Sequence, residues 1–398
     1  MLFDINIHHI IGRNQILFVN ELINFDRELK EIIGNSHFLI IGGAGSVGTG
    51  VVKSLARYNP KTITVIDLNE NNLVELVRDI RSSNQLFSGE LRTYVMDFGS
   101  EEFTHFVRSE PFFDYVMNLS AVKHVRSEKD PYTILRMIKV NVIFVAMALK
   151  MLEDKTKKFF SVSTDKAVYP VNVMGATKRL MELTLLEASE KVPVSSSRFV
   201  NVAFSEGSLL QSFLRRLEKN QPIALPSNIQ RYFMTQEEAG NLCILATLFS
   251  ENRDLFIPKL EKLVPLSMKE VVERLLNAFS FRPYYTRDSQ EAKKKLEELR
   301  RDKLWPVVLT DADTTGEKGI EVLFKNEEYI DRNKFADIDV IKLRLEDLGA
   351  YSFEKLKEKL TKITLSGNYS RNLLIDLLKE FLPEFEHKET GKFLDERM

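Results

Sequence analysis

The residues best suited to chemistry lie between Phe160 and Arg179, a stretch reading Phe-Ser-Val-Ser-Thr-Asp-Lys-Ala-Val-Tyr-Pro-Val-Asn-Val-Met-Gly-Ala-Thr-Lys-Arg. A hydroxyl, a carboxylate and an amine follow one another at Thr164, Asp165 and Lys166. Pro170 blocks continuation of the apolar run before it, and a helix can start near Asn172. Met174 and Lys178 are four residues apart and share one face of that helix. Groups of these types gathered at one point can take, hold and return protons at a hydroxyl or beside a carbonyl. A plain Asp–Lys pair ahead of a capped helix is the structural alternative.

A second set of residues suits a phosphate-bearing ligand. Phe38–Ile41 is an apolar strand running into Gly42, Gly45 and Gly48, and a helix begins at Ser46 and Val47. The first glycine permits a tight turn, the second a close approach of backbone to a pyrophosphate, and the third close packing of helix on strand. The helix N-terminus then offers oriented N–H groups to the anion. Asp67 ends the next strand, close to the roughly 20-residue spacing expected of a carboxylate that binds a ribose 2′-hydroxyl. That favours NAD over NADP. Asp97 is a candidate for the adenine edge or for a helix N-cap. Ser120, Ala121, Lys123 and His124 follow the fourth strand, where open α/β sheets hold ligands. Asn141, inside an apolar helix, is suited to holding a water or the loop carrying Ser163, or is a buried structural amide.

These groups need a scaffold, and the pattern supplies one. Short β-branched runs at Phe38–Ile41, Thr62–Ile66, Leu91–Met96, Tyr115–Asn118, Lys158–Val162 and Val194–Phe199 alternate with helical runs. The helices are expected at Ser46–Tyr58, Glu70–Arg81, Glu101–Val107, Pro131–Met151 and Val173–Ala188. Such alternation predicts an α/β fold with a doubly wound parallel sheet. We divide the chain into an arm (1–36), a dinucleotide-binding domain (37–200), a substrate domain (201–345) and a helical tail (346–398). Past residue 200 helices are expected over Ser208–Lys219, Glu237–Phe249 and Ser267–Ala278, a charged helix over Glu291–Lys303, and two more over 350–382.

Composition narrows the partners. Lys plus Arg total 56 against 57 for Asp plus Glu, which gives no reason to expect nucleic acid or an anionic membrane. The single Cys243 excludes a disulfide framework, and the six histidines form no metal spacing with it. No signal peptide is evident at the N-terminus. Val140–Leu152, with Asn141 and Lys150, reads as too short to span a bilayer. A cytoplasmic protein without membrane insertion or metal is expected.

Taken together, Gly42–Gly48, Ser120–Val125, Ser163–Lys166, Asn172–Lys178 and Arg231–Thr235 resemble the nucleotide-sugar 4,6-dehydratases, a polysaccharide-biosynthesis branch of the extended short-chain dehydrogenases. Thr315–Lys318 resembles their late Gly-Glu-Lys element. Met174 stands where that superfamily usually places a proton-transferring tyrosine. The methionine form is best known from membrane-anchored UDP-N-acetylglucosamine 4,6-dehydratases. The resemblance implies NAD, a nucleotide-sugar substrate and a homo-oligomer paired through helices such as Pro131–Met151 and Val173–Ala188. It also implies an internal hydride transfer from C4 to C6 with loss of water. Its site would use Lys178 at the nicotinamide ribose, Thr164 at O4, Asp165 as acid and Lys166 as C5 base with a lowered pKa, the last two being exchangeable. Met174 would pack against the sugar or the nicotinamide. Asn201 and Arg231 would meet the substrate diphosphate and Gln221–Ile223 its base. Glu206 departs from the basic residue usual there. A 4-epimerase or reductase of the same fold, or a non-catalytic NAD-binding protein, are the alternatives.

Overall fold

The alternating runs become one central sheet in the computed structural model, which describes residues 5–83, 87–311, 321–367 and 370–391. Strands β1 (His37–Ile41), β2 (Thr62–Asp67), β3 (Glu90–Val95), β4 (Phe113–Asn118), β5 (Thr156–Thr164) and β6 (Val194–Phe199) are all parallel. The order across the sheet places β3, β2 and β1 on one side of β4, β5 and β6. Successive connections therefore wind in opposite directions from the β1–β4 boundary, and the carboxyl ends of those two strands open a crevice there. Helices α1 (Ser46–Ala56), α2 (Glu70–Ser82), α3 (Glu101–Ser109), α4 (Pro131–Leu152) and α5 (Val173–Ala188) cover the two faces.

Four of these helices have side-chain N-caps, Asn69 on α2, Ser100 on α3, Asp130 on α4 and Asn172 on α5, and the last two matter most here. The Asn172 side chain accepts from the Gly175 N–H, and α5 begins at the next residue. Asp130 caps α4, with Pro131 at its first position. A π turn over Lys139–Ile143 widens α4. Helix α4 ends one residue past the expected Pro131–Met151; at 22 residues it exceeds the Val140–Leu152 stretch judged too short for a bilayer, and its length and apolarity would let it cross a membrane. Yet 61% of its apolar window is buried inside the protein.

Beyond residue 200 the chain returns to the main sheet, which the sequence reading had closed at β6. Here β7 (Ile223–Pro226), β9 (Arg282–Thr286) and β10 (Leu304–Thr310) form a separate three-stranded parallel sheet. Strand β8 (Asp254–Pro258) instead pairs parallel with β6, and β11 (Ile330–Asp331) and β12 (Ile338–Lys342) extend that edge antiparallel. The expected charged helix over Glu291–Lys303 is two short ones, Ser289–Lys294 and Leu296–Arg301.

Helices α6 (Leu209–Glu218) and α7 (Gln236–Leu248) follow the expected pattern. The last helices, α8 (Phe353–Ser366) and α9 (Arg371–Phe381), turn Leu374, Leu377, Leu378 and Phe381 onto the face of α4 and α5 formed by Ile134, Ile138, Val173 and Leu180. The chain's own tail thus covers one face of the two helices through which pairing with another copy was expected. After α9, residues 382–388 run along the loop before α5. Glu386 N–H donates to Pro170 O at 3.3 Å and Lys388 N–H to Val171 O at 3.0 Å.

Candidate active site

The glycine-rich turn and the ends of β1, β2 and β4 enclose a cleft of about 570 Å³. Gly42 adopts φ +75°, and a Cβ there would lie 2.6 Å from Ser120 N. The β1 turn and the loop after β4 approach so closely that only glycine fits. A Cβ at Gly48 would meet Gly42 O at 2.3 Å, so the turn folds directly onto α1. Gly45 precedes the helix and has no side chain to cap it, leaving the N–H groups of the Ser46–Gly48 turn bordering the cleft. Asp67 is aimed by two backbone donors, Ala44 N–H at 3.0 Å and Asn69 N–H at 2.9 Å. Ser120, Ala121, Lys123, His124 and Asp97 also line the cleft. A helix N-terminus beside a carboxylate and a lining of small residues fits a dinucleotide.

Several neighbours of the cleft have roles the sequence left open. Asp97 pairs with Arg136 at 2.6 Å, and Ser100, not Asp97, caps α3. Asn141 accepts from Val122 N–H and donates to Val122 O and Thr177 Oγ1, each at 3.0 Å, so it clamps the loop after β4 to α5. Glu206 lines the cleft, and its N–H donates to Ser46 Oγ at 2.8 Å. Arg215, from α6, lines it as well and was not foreseen. Burial pushes the Lys123 ammonium below its usual range, opposed by Glu206.

The second group of residues stands at the end of β5, the strand beside β4. Asn118 and Ser161 are register partners, and Asn118 Nδ2 donates to Ser161 Oγ at 3.0 Å. Three residues on, the Thr164 hydroxyl donates to Asp165 Oδ1 at 2.8 Å. Asp165 is 1% exposed and lies 3.0 Å from Lys166 Nζ. Burial works to lower the Lys166 pKa, but Asp165 and Glu321 overcome it and the net shift is upward. This corrects the expected lowered pKa: two carboxyl groups, and not a surplus of positive charge, surround the amine.

Other expected site residues take different partners. Lys178 Nζ donates to Val162 O at 2.8 Å and does not line the cleft. Burial lowers its pKa to about 8, against an upward pull from Glu182. Met174 is buried in the cluster that holds Ile134, Leu135, Ile138 and the tail residues. Asn201 Nδ2 donates to Glu321 Oε1 at 2.6 Å, and Arg231 Nε lies 3.3 Å from the same oxygen. The Gln221 side chain accepts from Arg216, and Ile223 is buried in the core of the second sheet. The Tyr169 hydroxyl is 3.3 Å from Glu327, on an exposed side chain. Thr315–Lys318 lies outside the described residues.

Glu182 and Glu321 are the two central groups that sequence reasoning missed. Glu182 accepts from Ser163 Oγ at 2.6 Å and from Arg198 and Arg179 at 2.8–3.0 Å. It follows Lys178 by one helical turn, a spacing that could have drawn attention to it. Glu321 has no such signal. The structure thus gathers two sets along the carboxyl edge of the sheet: the cleft residues, and the cluster of Thr164, Asp165, Lys166, Glu321, Arg231 and Asn201. Thr164, Asp165, Lys166, Met174 and Lys178 are not part of the cleft wall.

Comparisons with known proteins agree with this picture. Residues 38–343 match the family model described as polysaccharide biosynthesis protein. An uncharacterized membrane protein of Methanocaldococcus jannaschii is 32% identical, over 65% of this chain and 77% of its own. The capsular polysaccharide biosynthesis protein CapD of Staphylococcus aureus is 29% identical over 68% of this chain, and the match spans 44% of CapD. Among solved structures, Pen from Bacillus thuringiensis has a TM-score of 0.63 at 22% identity, covering 87% of this chain and 98% of Pen. A UDP-glucuronic acid 4-epimerase of Bacillus cereus, solved with UDP-glucuronic acid and NAD, has a TM-score of 0.51 at 14% identity, covering 69% and 86%.

Proposed function

The chain belongs to the family of polysaccharide biosynthesis proteins, and on that premise we propose that it dehydrates a nucleotide-activated N-acetylhexosamine, UDP-N-acetylglucosamine first among candidates, to the 4-keto-6-deoxy derivative. One observation carries the reading. The end of β5 holds a hydroxyl, a carboxylate and an amine in mutual contact, while the helix position usual for a catalytic phenol is a methionine sealed in the core. A reaction that shuttles a proton through a tyrosine, as a 4-epimerase normally does, lacks its group here. An elimination that needs an acid and a base has both.

The roles follow from the contacts. NAD in the cleft would accept hydride at C4 and supply it at C6 of a hexose lying from the cleft across to the adjacent end of β5, one strand over from the β4 end that borders the cleft. The Thr164 hydroxyl, hydrogen-bonded to Asp165, holds O4 and relays its proton to solvent water, which leaves Asp165 ionised for the next step. Asp165 is the base of the pair and takes the C5 proton that a 4-keto group makes acidic. Lys166, held protonated by its two carboxyl neighbours, gives its proton to the departing C6 hydroxyl. Two protons leave, from O4 to solvent and from C5 to Asp165; the Lys166 proton departs within water and is replaced from solvent, and Asp165 returns its proton to C5. Lys123, His124 and Arg215 line the cleft as the groups for a substrate diphosphate. The acid and base assignments are the exchanged form of those drawn from the sequence.

Purified protein incubated with UDP-N-acetylglucosamine, and separately with GDP- and dTDP-hexoses, tests this by mass spectrometry. Loss of water from one substrate is expected. A C4-inverted hexose of unchanged mass would instead establish epimerisation, and no change with any of them would refute both. Asp165→Asn should keep NAD affinity and lose about 10²-fold or more in turnover; wild-type turnover in that variant contradicts the assignment.

A further inference from the structure

We propose that Glu321 is a positioning residue of the site, a third carboxyl group that draws Lys166, Arg231 and Asn201 together from three separate segments and fixes where the Lys166 side chain points. Its side chain is 3% exposed. Oε1 accepts from Asn201 Nδ2 at 2.6 Å and lies 3.3 Å from Arg231 Nε and 3.9 Å from Lys166 Nζ. Oε2 accepts from Tyr232 N–H at 3.2 Å. A carboxyl group this buried persists only where such partners satisfy it. Its own position is fixed two residues later: Leu323 is fully buried in the main core, and its carbonyl accepts from Arg198 at 3.0 Å.

The charges facing Lys166 explain why a third carboxyl group is needed. Asp165 stands on one side of the amine at 3.0 Å, and Arg231 adds a repelling positive charge. Two cations beside a single carboxylate leave one uncompensated in a largely buried place. Glu321 between them balances the set at two positive and two negative groups. Burial and Asp165 push its own pKa up, while Lys166, Arg231 and Asn201 pull it down. The net shift of Glu321 is upward; its charge raises the Lys166 pKa, so its removal must make Lys166 easier to deprotonate. The effect on turnover rests on the dehydratase reading; the placement of Lys166 does not.

The test separates the two. Reductive methylation of the whole protein, followed by peptide mass spectrometry, reports the uncharged fraction of Lys166 against pH without any substrate. In Glu321→Gln the labelling midpoint should fall by about one pH unit. With the same variant, kcat should fall while NAD affinity stays at the wild-type value. Arg231→Gln provides an independent arm: it removes the repelling charge, so the midpoint should rise. Thermal melting identifies which variants are folded. A Lys166 midpoint unchanged in either folded variant overturns the proposal, because Asp165 alone would then hold the amine. A shifted midpoint in a protein that dehydrates no nucleotide sugar would sustain the proposal and refute the dehydratase reading.

Discussion

Two lysines twelve residues apart in one strand–turn–helix unit have pKa values shifted in opposite directions. Lys166 is kept charged by Asp165 and Glu321, whereas Lys178 is buried on a carbonyl with its pKa lowered to about 8. The residue types were legible in the sequence; their charge states were not, because Glu321 lies 155 positions beyond Lys166 and no local spacing links them. The same limit applies to Arg231 and Asn201. Their proximity was inferred from separate motifs, but the carboxyl group joining them was not foreseen. Tyr169 provides a control at this scale. Its hydroxyl contacts Glu327 at the surface, so Tyr169→Phe should leave turnover within about twofold of wild type. A near-complete loss would transfer the proton role to that phenol.

Among the elements, α5 was read to its exact bounds because Asn172 and Pro170 mark its start in the sequence itself. Strands β8 and β12 were missed for the opposite reason: each is a largely buried five-residue run with no alternation, where periodicity says little. What ties α5 to the sheet is also non-local. Glu182 on α5 meets Arg198 on β6, and Arg198 reaches Glu328 at 2.8 Å. Burial opposes ionisation of Glu182, but Arg198 and Arg179 reverse that and hold its pKa at about 2. A depressed carboxylate stabilises the fold fully above the unfolded value of 4.5 and loses that contribution as pH falls towards about 2. Melting temperature should therefore drop across that interval in wild type. Glu182→Gln should cost about 3–5 kcal/mol at neutral pH and flatten the acid dependence. An equally steep acid transition in the variant would show that other carboxylates govern it.

For the whole molecule, the doubly wound sheet was legible from alternation alone, and the tail was read as two helices but not as a cover. The cover hides Ile134, Ile138, Val173 and Leu180 under Leu374, Leu377 and Phe381. Removing residues from 350 onward should expose that apolar face, and the shortened chain should sediment as larger species or aggregate relative to the full chain. Equal sedimentation of the two forms would mean the face is protected by something else.

The segment after α9 adds a dimension of time. It braces Pro170 and Val171, yet it is synthesised roughly 200 residues later, on the order of 10–40 s at ordinary elongation rates. During that interval the turn between the reactive cluster and α5 has no support from that side. Nascent chains should therefore acquire a protease-resistant Tyr169–Asn172 turn late, after the sheet itself has formed.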